Sequence, residues 1–411
     1  MPDDDAIVIL GAGYAGLTAY LELRRALGRS APLCLVNRGR THYFTTELHE
    51  FAAGEEEEAD ITVPLERVVQ PPHRLVVDRV LRIDAAARRV VCERGEVPYA
   101  RLIVALGSIP EYYGVPGAKE HGVPLTDLRS ARRLRARLEE LAERRPDARV
   151  VVAGGGLTGV QLAAEVADSY PDLRVTVIDA GPHIMPGFEP ELVEAAVRVL
   201  EGKGVQILTG RAITEVDAHE VTLEGGAARA YDLLVWAGGV RANPVVRESG
   251  LPVTRGDRGL VDAYLRCPDD ERIFLAGDCA APTDPASGRV VPPTAQMAVQ
   301  EGRLAARNAW RAERGQELEA FVPRQRGVFA SLGRREGVGR WGRESLYGMP
   351  AMVVKRLVEA HHAYDVGGLA YLLRRLAAIA GWGNPARRRA WRRRVLPAPE
   401  GGRPAGGLLR S

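Results

Sequence analysis

Short apolar runs alternate with amphipathic stretches along most of the chain. Residues 6–10, AIVIL, contain no polar position, which predicts a strand buried on both faces of a parallel sheet. LTAYLELRRALG then repeats its apolar residues at helical spacing, and PLCLVN reads as a second buried strand ending at Asn37. Between the first strand and the helix stand Gly11, Gly13 and Gly16, with Ala12, Tyr14 and Ala15 in the gaps. The pattern recurs at RVVVA, followed by Gly154, Gly156 and Gly159 around Leu157 and Thr158, a helix, and the strand RVTVID ending at Asp179. A further apolar strand in RIFLAGDCA ends at Gly277 and Asp278. Strands alternating with helices in this way predict an α/β chain built on parallel sheets.

Strand, G-x-G-x-x-G, helix and strand, with a polar residue about 20 positions on, make a complete dinucleotide-binding unit. The first glycine makes the tight turn, the second admits a pyrophosphate close to the backbone, and the third lets helix pack on strand. The helix N-terminus offers free N–H groups and a favourable dipole to the phosphates. One such loop can be a mere tight turn; two in one chain predict two dinucleotides placed for electron transfer. Asp179, a carboxylate at the ribose position, suits a 2′-hydroxyl and repels a 2′-phosphate, so NADH is expected over NADPH. Gly277 and Asp278 at a strand end suit the ribityl chain and phosphate of a flavin, which assigns FAD to the first site.

Composition narrows the picture. A length of 411 residues exceeds one ordinary core and predicts two or three domains. A net charge of +3 gives no global case for nucleic acid. The four cysteines, Cys34, Cys92, Cys267 and Cys279, form no CxxC pair, so neither a zinc site nor a dithiol centre is expected, and the thiols suit a reducing compartment. The start, MPDDDAIVIL, is acidic and does not read as a signal peptide. No apolar stretch approaches the ~20 residues that span a bilayer. EEEEAD at 55–60 reads as a solvated loop, and His42, His49, His361 and His362 as packing or surface residues.

PPTAQMAVQ opens a helix on prolines and places Gln296 and Gln300 four apart, on one face and without charge. This stretch, with GAGYAG, LVNRGRTHYFTTELHEFAAG, LIVALGS, GGGLTGV, VWAGGVRANP, FLAGDCA, FASLGRREGVG and VVKRLVEAHHAYDVGGLAYLL, resembles the two-dinucleotide flavoproteins. Within them the chain is similar to type II NADH dehydrogenases, single-chain NADH:quinone oxidoreductases that pump no protons. The resemblance implies two Rossmann-like domains in the glutathione-reductase-like arrangement, non-covalent FAD, NADH as substrate, and a menaquinone or ubiquinone as acceptor. It implies that Thr46, Ala105, Gly107, Gly238 and Gly239, in matching stretches, line the cofactor sites. It carries the family's AQxAxQ quinone motif onto Ala295, Gln296, Ala298 and Gln300, whose amides would border the flavin and bond a quinone carbonyl. Two positions depart from the pattern: Gln161 stands where the family often has a proton-carrying Glu, and Asn37 replaces the usual acid at the flavin ribose. Lys355 is either a charge partner near the quinone or a solvated helix lysine. Other readings of the same residues are a sulfide:quinone or disulfide reductase, which needs a cysteine pair at the flavin, and an NADH-sensing flavoprotein without turnover.

The expected organisation is an FAD domain from 1–111 and 241–322, an inserted NADH domain at 112–240, and a C-terminal domain at 323–411. IPEYYGVPG and GGVRANP, rich in Gly and Pro, are the expected crossings. From residue 367 apolar residues and tryptophans alternate with Arg374, Arg375, Arg387 to Arg389 and Arg392 to Arg394. Such a tail suits a helix lying on an anionic membrane, with a solvated basic arm as the rival. The expected location is peripheral, at the cytoplasmic face of the cell membrane; a homodimer is compatible with the sequence.

Overall fold

A computed structural model describes residues 5–28 and 32–379. The sequence-predicted strand Ile7–Leu10 is fully buried at the centre of a six-stranded sheet. It pairs in parallel with Leu33–Asn37 on one side and Arg101–Val104 on the other. Arg74–Val77 extends the first edge, and Asp270–Leu275 joins Arg101–Val104 in parallel on the second. The sheet therefore joins strands from residues 7–104 with strands from residues 266–275. A second, five-stranded parallel sheet is centred on Arg149–Ala153, flanked by Arg174–Ile178 and Leu233–Trp236. These α/β layers agree with the fold class expected from the apolar runs.

Sterics fix the two glycine loops. Gly11 has φ 94°, and a Cβ there would lie 2.3 Å from the Ala105 carbonyl oxygen; a Cβ at Gly16 would lie 1.9 Å from the carbonyl oxygen of Gly11. The second loop repeats this geometry, with Gly154 at φ 113° against Ala237 and Gly159 against Gly154. Only glycine permits the left-handed turn and the close helix-to-strand approach together.

Two later helices complete the frame. Thr294 caps Ala295–Glu313 by accepting the Met297 N–H at 3.2 Å. That helix packs along Tyr14–Leu27, and a Cβ at Gly302 would meet the Ala15 carbonyl oxygen at 2.1 Å. After an antiparallel sheet of Gly327–Ser331, Gly337–Trp341 and Glu344–Tyr347, the chain ends its described course in the long helix Gly348–Ile379, kinked at Gly368 (φ 72°).

Two expectations need correction. EEEEAD is only in part a solvated loop. Glu56 is buried, and the segment ion-pairs with Arg132, Arg135, Arg334 and Arg356 from three separate elements. Glu55 and Glu56 face other parts of the protein, while Glu57 and Glu58 keep part of their surface in water. The apolar-basic character also begins earlier than residue 367: Met349, Val353, Leu357, Tyr364, Leu369 and Leu373 are all exposed on the last helix. Arg387 to Arg389 and Arg392 to Arg394 lie outside the described residues.

Candidate functional site

A single cavity of about 2290 Å³ runs between the two glycine loops. That exceeds the ~300–1,000 Å³ of an ordinary small-molecule pocket and has room for a dinucleotide beside a second ligand. Gly11, Ala12, Gly13, Tyr14, Ala15, Asn37, Thr46, Ala105, Gly107, Gly277, Asp278 and Ala295 all line it. From the second loop only Leu157, Thr158 and, one turn on, Gln161 reach it; Gly154, Gly156, Gly159, Asp179, Gly238 and Gly239 lie outside its lining.

The first cradle fits a flavin dinucleotide. A Cβ at Gly13 or Gly107 would meet nothing within 4 Å, so backbone faces open space there. The first turn of Tyr14–Leu27 carries no acidic residue to oppose a pyrophosphate. Asn37 accepts the Ala12 N–H at 3.0 Å and donates to the Gly39 carbonyl at 2.8 Å. An amide does both, where a carboxylate could only accept. Ser108 donates to Asp278 at 2.7 Å, and the neighbouring Gly277 N–H is held by Glu301 at 2.7 Å. Glu301 is 1% exposed, and burial pushes its carboxyl up to about 7.

In the second loop, Asp179 accepts the Gly155 N–H at 2.5 Å and the Gly181 N–H at 2.6 Å. Each oxygen keeps further lone pairs for a ribose hydroxyl, while the carboxylate is fixed in place. A Cβ at Gly156 would meet nothing within 4 Å, matching the open cradle of Gly13.

The two helix amides are committed to the backbone of residues 324–327. Gln296 accepts the Arg326 N–H at 2.9 Å and donates to the Gly327 carbonyl at 3.3 Å. Gln300 accepts the Arg324 N–H at 3.0 Å and donates to the carbonyls of Arg324 at 2.9 Å and Gln296 at 3.2 Å. A primary amide has two N–H donors. Gln300 uses both, whereas one N–H of Gln296 has no hydrogen bond among the described residues. Both residues line the cavity.

Gln161 is buried and accepts from the Ser331 N–H at 3.0 Å and from its hydroxyl at 3.2 Å. The Ser331 hydroxyl lies 3.0 Å from His49 Nε2. Lys355 is 8% exposed, which excludes a solvated lysine; it bonds Glu50 at 3.1 Å and the carboxylate of Glu359. Arg356 pairs with the same two carboxylates. Burial opposes the charge on Lys355, but Glu359 and Glu50 outweigh it and raise its affinity for the proton.

Sequence reasoning missed Glu50, Glu165, Glu301 and Ser331, and took His49 as packing. The signal for Glu165 was a carboxylate inside the apolar run VQLAAEV, one helical turn after Gln161. His49 and Glu50 sat inside LHEFAAG, where helix polarity gave no hint that both would be buried.

The chain matches the model of the pyridine nucleotide-disulphide oxidoreductase family over residues 5–302. It is 32% identical over 397 residues to a type II NADH:quinone oxidoreductase of Staphylococcus aureus (strain NCTC 8325 / PS 47), covering 89% of this chain and 97% of the relative. A Staphylococcus epidermidis protein of the same name is 31% identical over the same span. Among solved structures, NDH2 from Plasmodium falciparum in complex with NADH superposes with a TM-score of 0.82 at 16% identity, over 93% of this chain and 99% of that one. The sulfide:quinone oxidoreductase of Aquifex aeolicus gives 0.76 at 18% identity, over 89% and 92%. At these identities the two structures establish the fold alone.

Proposed function

Because this chain belongs to the pyridine nucleotide-disulphide oxidoreductases, and with them to the type II NADH:quinone oxidoreductases, we propose the following division of labour among its residues. The protein oxidises NADH with FAD and passes the electrons to a quinone. The observation that carries this is one cavity reached by both glycine units: Leu157, Thr158 and Gln161 open into the space lined by Gly11 to Ala15 and Asp278. FAD, when bound, supplies the redox chemistry, accepting a hydride and returning electrons. The chain supplies binding, orientation and a water-poor surround.

Gly13, the helix Tyr14–Leu27 and Asp278 hold the flavin dinucleotide, with Asn37 keeping the glycine loop in register. Gly156, Thr158 and Asp179 hold NADH, and Asp179 rejects a 2′-phosphate by charge. Gln296 directs its spare N–H at a quinone carbonyl, a neutral donor that binds a polar group without burying a charge in an apolar slot. As the quinone oxygen gains negative charge, the same bond strengthens. Gln300 holds the strap that keeps Gln296 in place. None of the four cysteines lines the cavity, which leaves a disulfide-linked reduction without a thiol there.

No helix among the described residues is long and apolar enough to cross a membrane. The exposed Met349, Val353 and Leu357 before the kink at Gly368, and Leu369 and Leu373 after it, support contact with a lipid surface, from which a lipid-soluble menaquinone or ubiquinone reaches the cavity. The protein works there as a peripheral enzyme of the cytoplasmic face. NADH oxidation by purified protein with and without a soluble quinone tests this function. Turnover only with quinone supports it; NADH binding without turnover would make the protein a sensor.

A further inference from the structure

Behind the cavity wall lies a buried carboxylate that the division of labour above does not use. Glu165 sits one turn beyond Gln161 on the helix Leu157–Ser169, on the same face. It is 1% exposed, and one of its oxygens is buried without a hydrogen-bond partner among the described residues. From this placement we propose that Glu165 holds a proton as a neutral acid and delivers it through His49 to the quinone side of the cavity, supplying the acid that Gln161 lacks.

The charges around it leave Glu165 no cation. From the helix Leu48–Ala52 it faces Glu50 and His49, from the following loop Glu55, from the last helix Lys355 and Arg356, and from the turn after Ser331 it faces Arg334. Lys355 is engaged by Glu50 and Glu359, Arg356 by Glu50, Glu56 and Glu359, and Arg334 by Glu55. Four carboxylates, Glu50, Glu55, Glu56 and Glu359, already outnumber these three cations. A fifth buried negative charge would be uncompensated, and a buried group in that position takes up a proton instead. Burial and then the Glu50 charge push the Glu165 carboxyl well above the usual carboxylate range, in agreement with this count.

Geometry joins the acid to the cavity. Donor atoms of His49, Glu50 and Glu165 lie within 4.8 Å of one another, a span that one bridging water covers. His49 lines the cavity, and its Nε2 is 3.0 Å from the Ser331 hydroxyl, which Gln161 holds. Burial lowers the imidazole to about 3, so His49 rests neutral and relays rather than stores a proton, gaining an N–H on one nitrogen as the N–H on the other breaks. Gln161 thereby becomes a positioning residue for the relay.

The balance closes. NADH gives a hydride, and reduction of a quinone to a quinol takes two electrons and two protons, so NADH, quinone and one proton yield NAD⁺ and quinol. The Glu165 O–H bond breaks, a quinol O–H bond forms through His49, and the carboxylate regains its proton from the medium before the next turnover.

The proposal rests on the quinone reading, but one readout does not need any acceptor. The infrared difference between the FAD-loaded parent and Glu165→Gln should contain the carbonyl band of a buried protonated carboxylic acid, shifted in D₂O, whereas the band of protonated Glu301 is common to both proteins and cancels. In stopped flow, quinone-driven reoxidation of Glu165→Gln should fall by about 100-fold, the scale of lost general acid catalysis, and lose its dependence on pH, while Glu165→Asp recovers part of the rate. Flavin content and melting temperature check that each variant folds. Absence of that band from the difference spectrum, or reoxidation unchanged in rate and pH profile, overturns the proposal. So does one tightly bound divalent metal ion per flavin that is lost in Glu165→Gln, because a cation ligated by His49, rather than a proton, would then neutralise Glu50 and Glu165. If the parent protein does not reduce quinone but shows the band, it is the quinone reading that fails.

Discussion

Replacing Gln296 and Gln300 separately by Leu should give two different defects, although the residues share a helix face and a sequence motif. Gln300→Leu removes bonds to both backbone groups of Arg324 and one to the carbonyl of Gln296. Each such bond contributes about 1 kcal/mol net, and water can reach part of this site. The loss should therefore be about 1–3 kcal/mol of local stability, felt as a looser 324–327 strap. Gln296→Leu loses the comparable pair to Arg326 and Gly327 and also the spare N–H proposed to meet the quinone carbonyl. Losing one donor to a developing oxyanion slows a step by about 10²–10³-fold, or roughly 3–4 kcal/mol. Anaerobic stopped flow separates the half-reactions. Flavin reduction by NADH should stay near the parent rate in both variants. Reoxidation by quinone should slow by about two to three orders of magnitude in Gln296→Leu. In Gln300→Leu it should slow by about tenfold or less, with a lowered melting temperature. Equal slowing of both with no change in stability would show that the two amides do not divide the work in this way, since Gln300 has no donor left to give.

Asp179→Ser should narrow the preference for NADH over NADPH, because like-charge contact with a 2′-phosphate costs several kcal/mol; steady-state kcat/KM for the two nucleotides decides it, and equal use by the parent protein would show that Asp179 does not face the ribose. Leu369→Glu with Leu373→Glu should release much of the protein from anionic liposomes, since each removes an apolar side chain worth about 1.5–3 kcal/mol when buried, while removal of residues 376–411 leaves the exposed apolar side chains and hence part of the binding in a sedimentation assay. Glu301 binds its proton more tightly folded than unfolded, so stability falls as pH rises from the unfolded value towards about 7 and is level above it. Glu301→Gln keeps an acceptor for the Gly277 N–H and should remove that slope in melting curves taken with saturating FAD from about pH 5 to about pH 8.

Much of the frame was legible because backbone rules write it locally. Gly16 and Gly159 are required by contacts within one strand–helix turn, and Gly11 and Gly154 by the left-handed backbone of the same turn, so their spacing alone pointed to two nucleotide cradles. The assembly of distant segments was harder to read. Glu50, Lys355 and Glu165 are each unremarkable in sequence and meet only when three helices pack, which no local periodicity encodes. The loop 55–60 misled for the same reason: a run of glutamates ordinarily faces water, but here arginines from Arg132 to Arg356 converge on it. The amides of Gln296 and Gln300 were correctly placed on one face, yet their unequal hydrogen-bonding duties depend on where residues 324–327 lie.

The most direct measurement follows flavin absorbance in one anaerobic sample, first on adding NADH and then on adding a soluble quinone. The account predicts rapid bleaching by NADH and full recovery of the oxidised spectrum with one quinone consumed per NADH. Bleaching without recovery, or recovery with a disulfide but not a quinone, would contradict it.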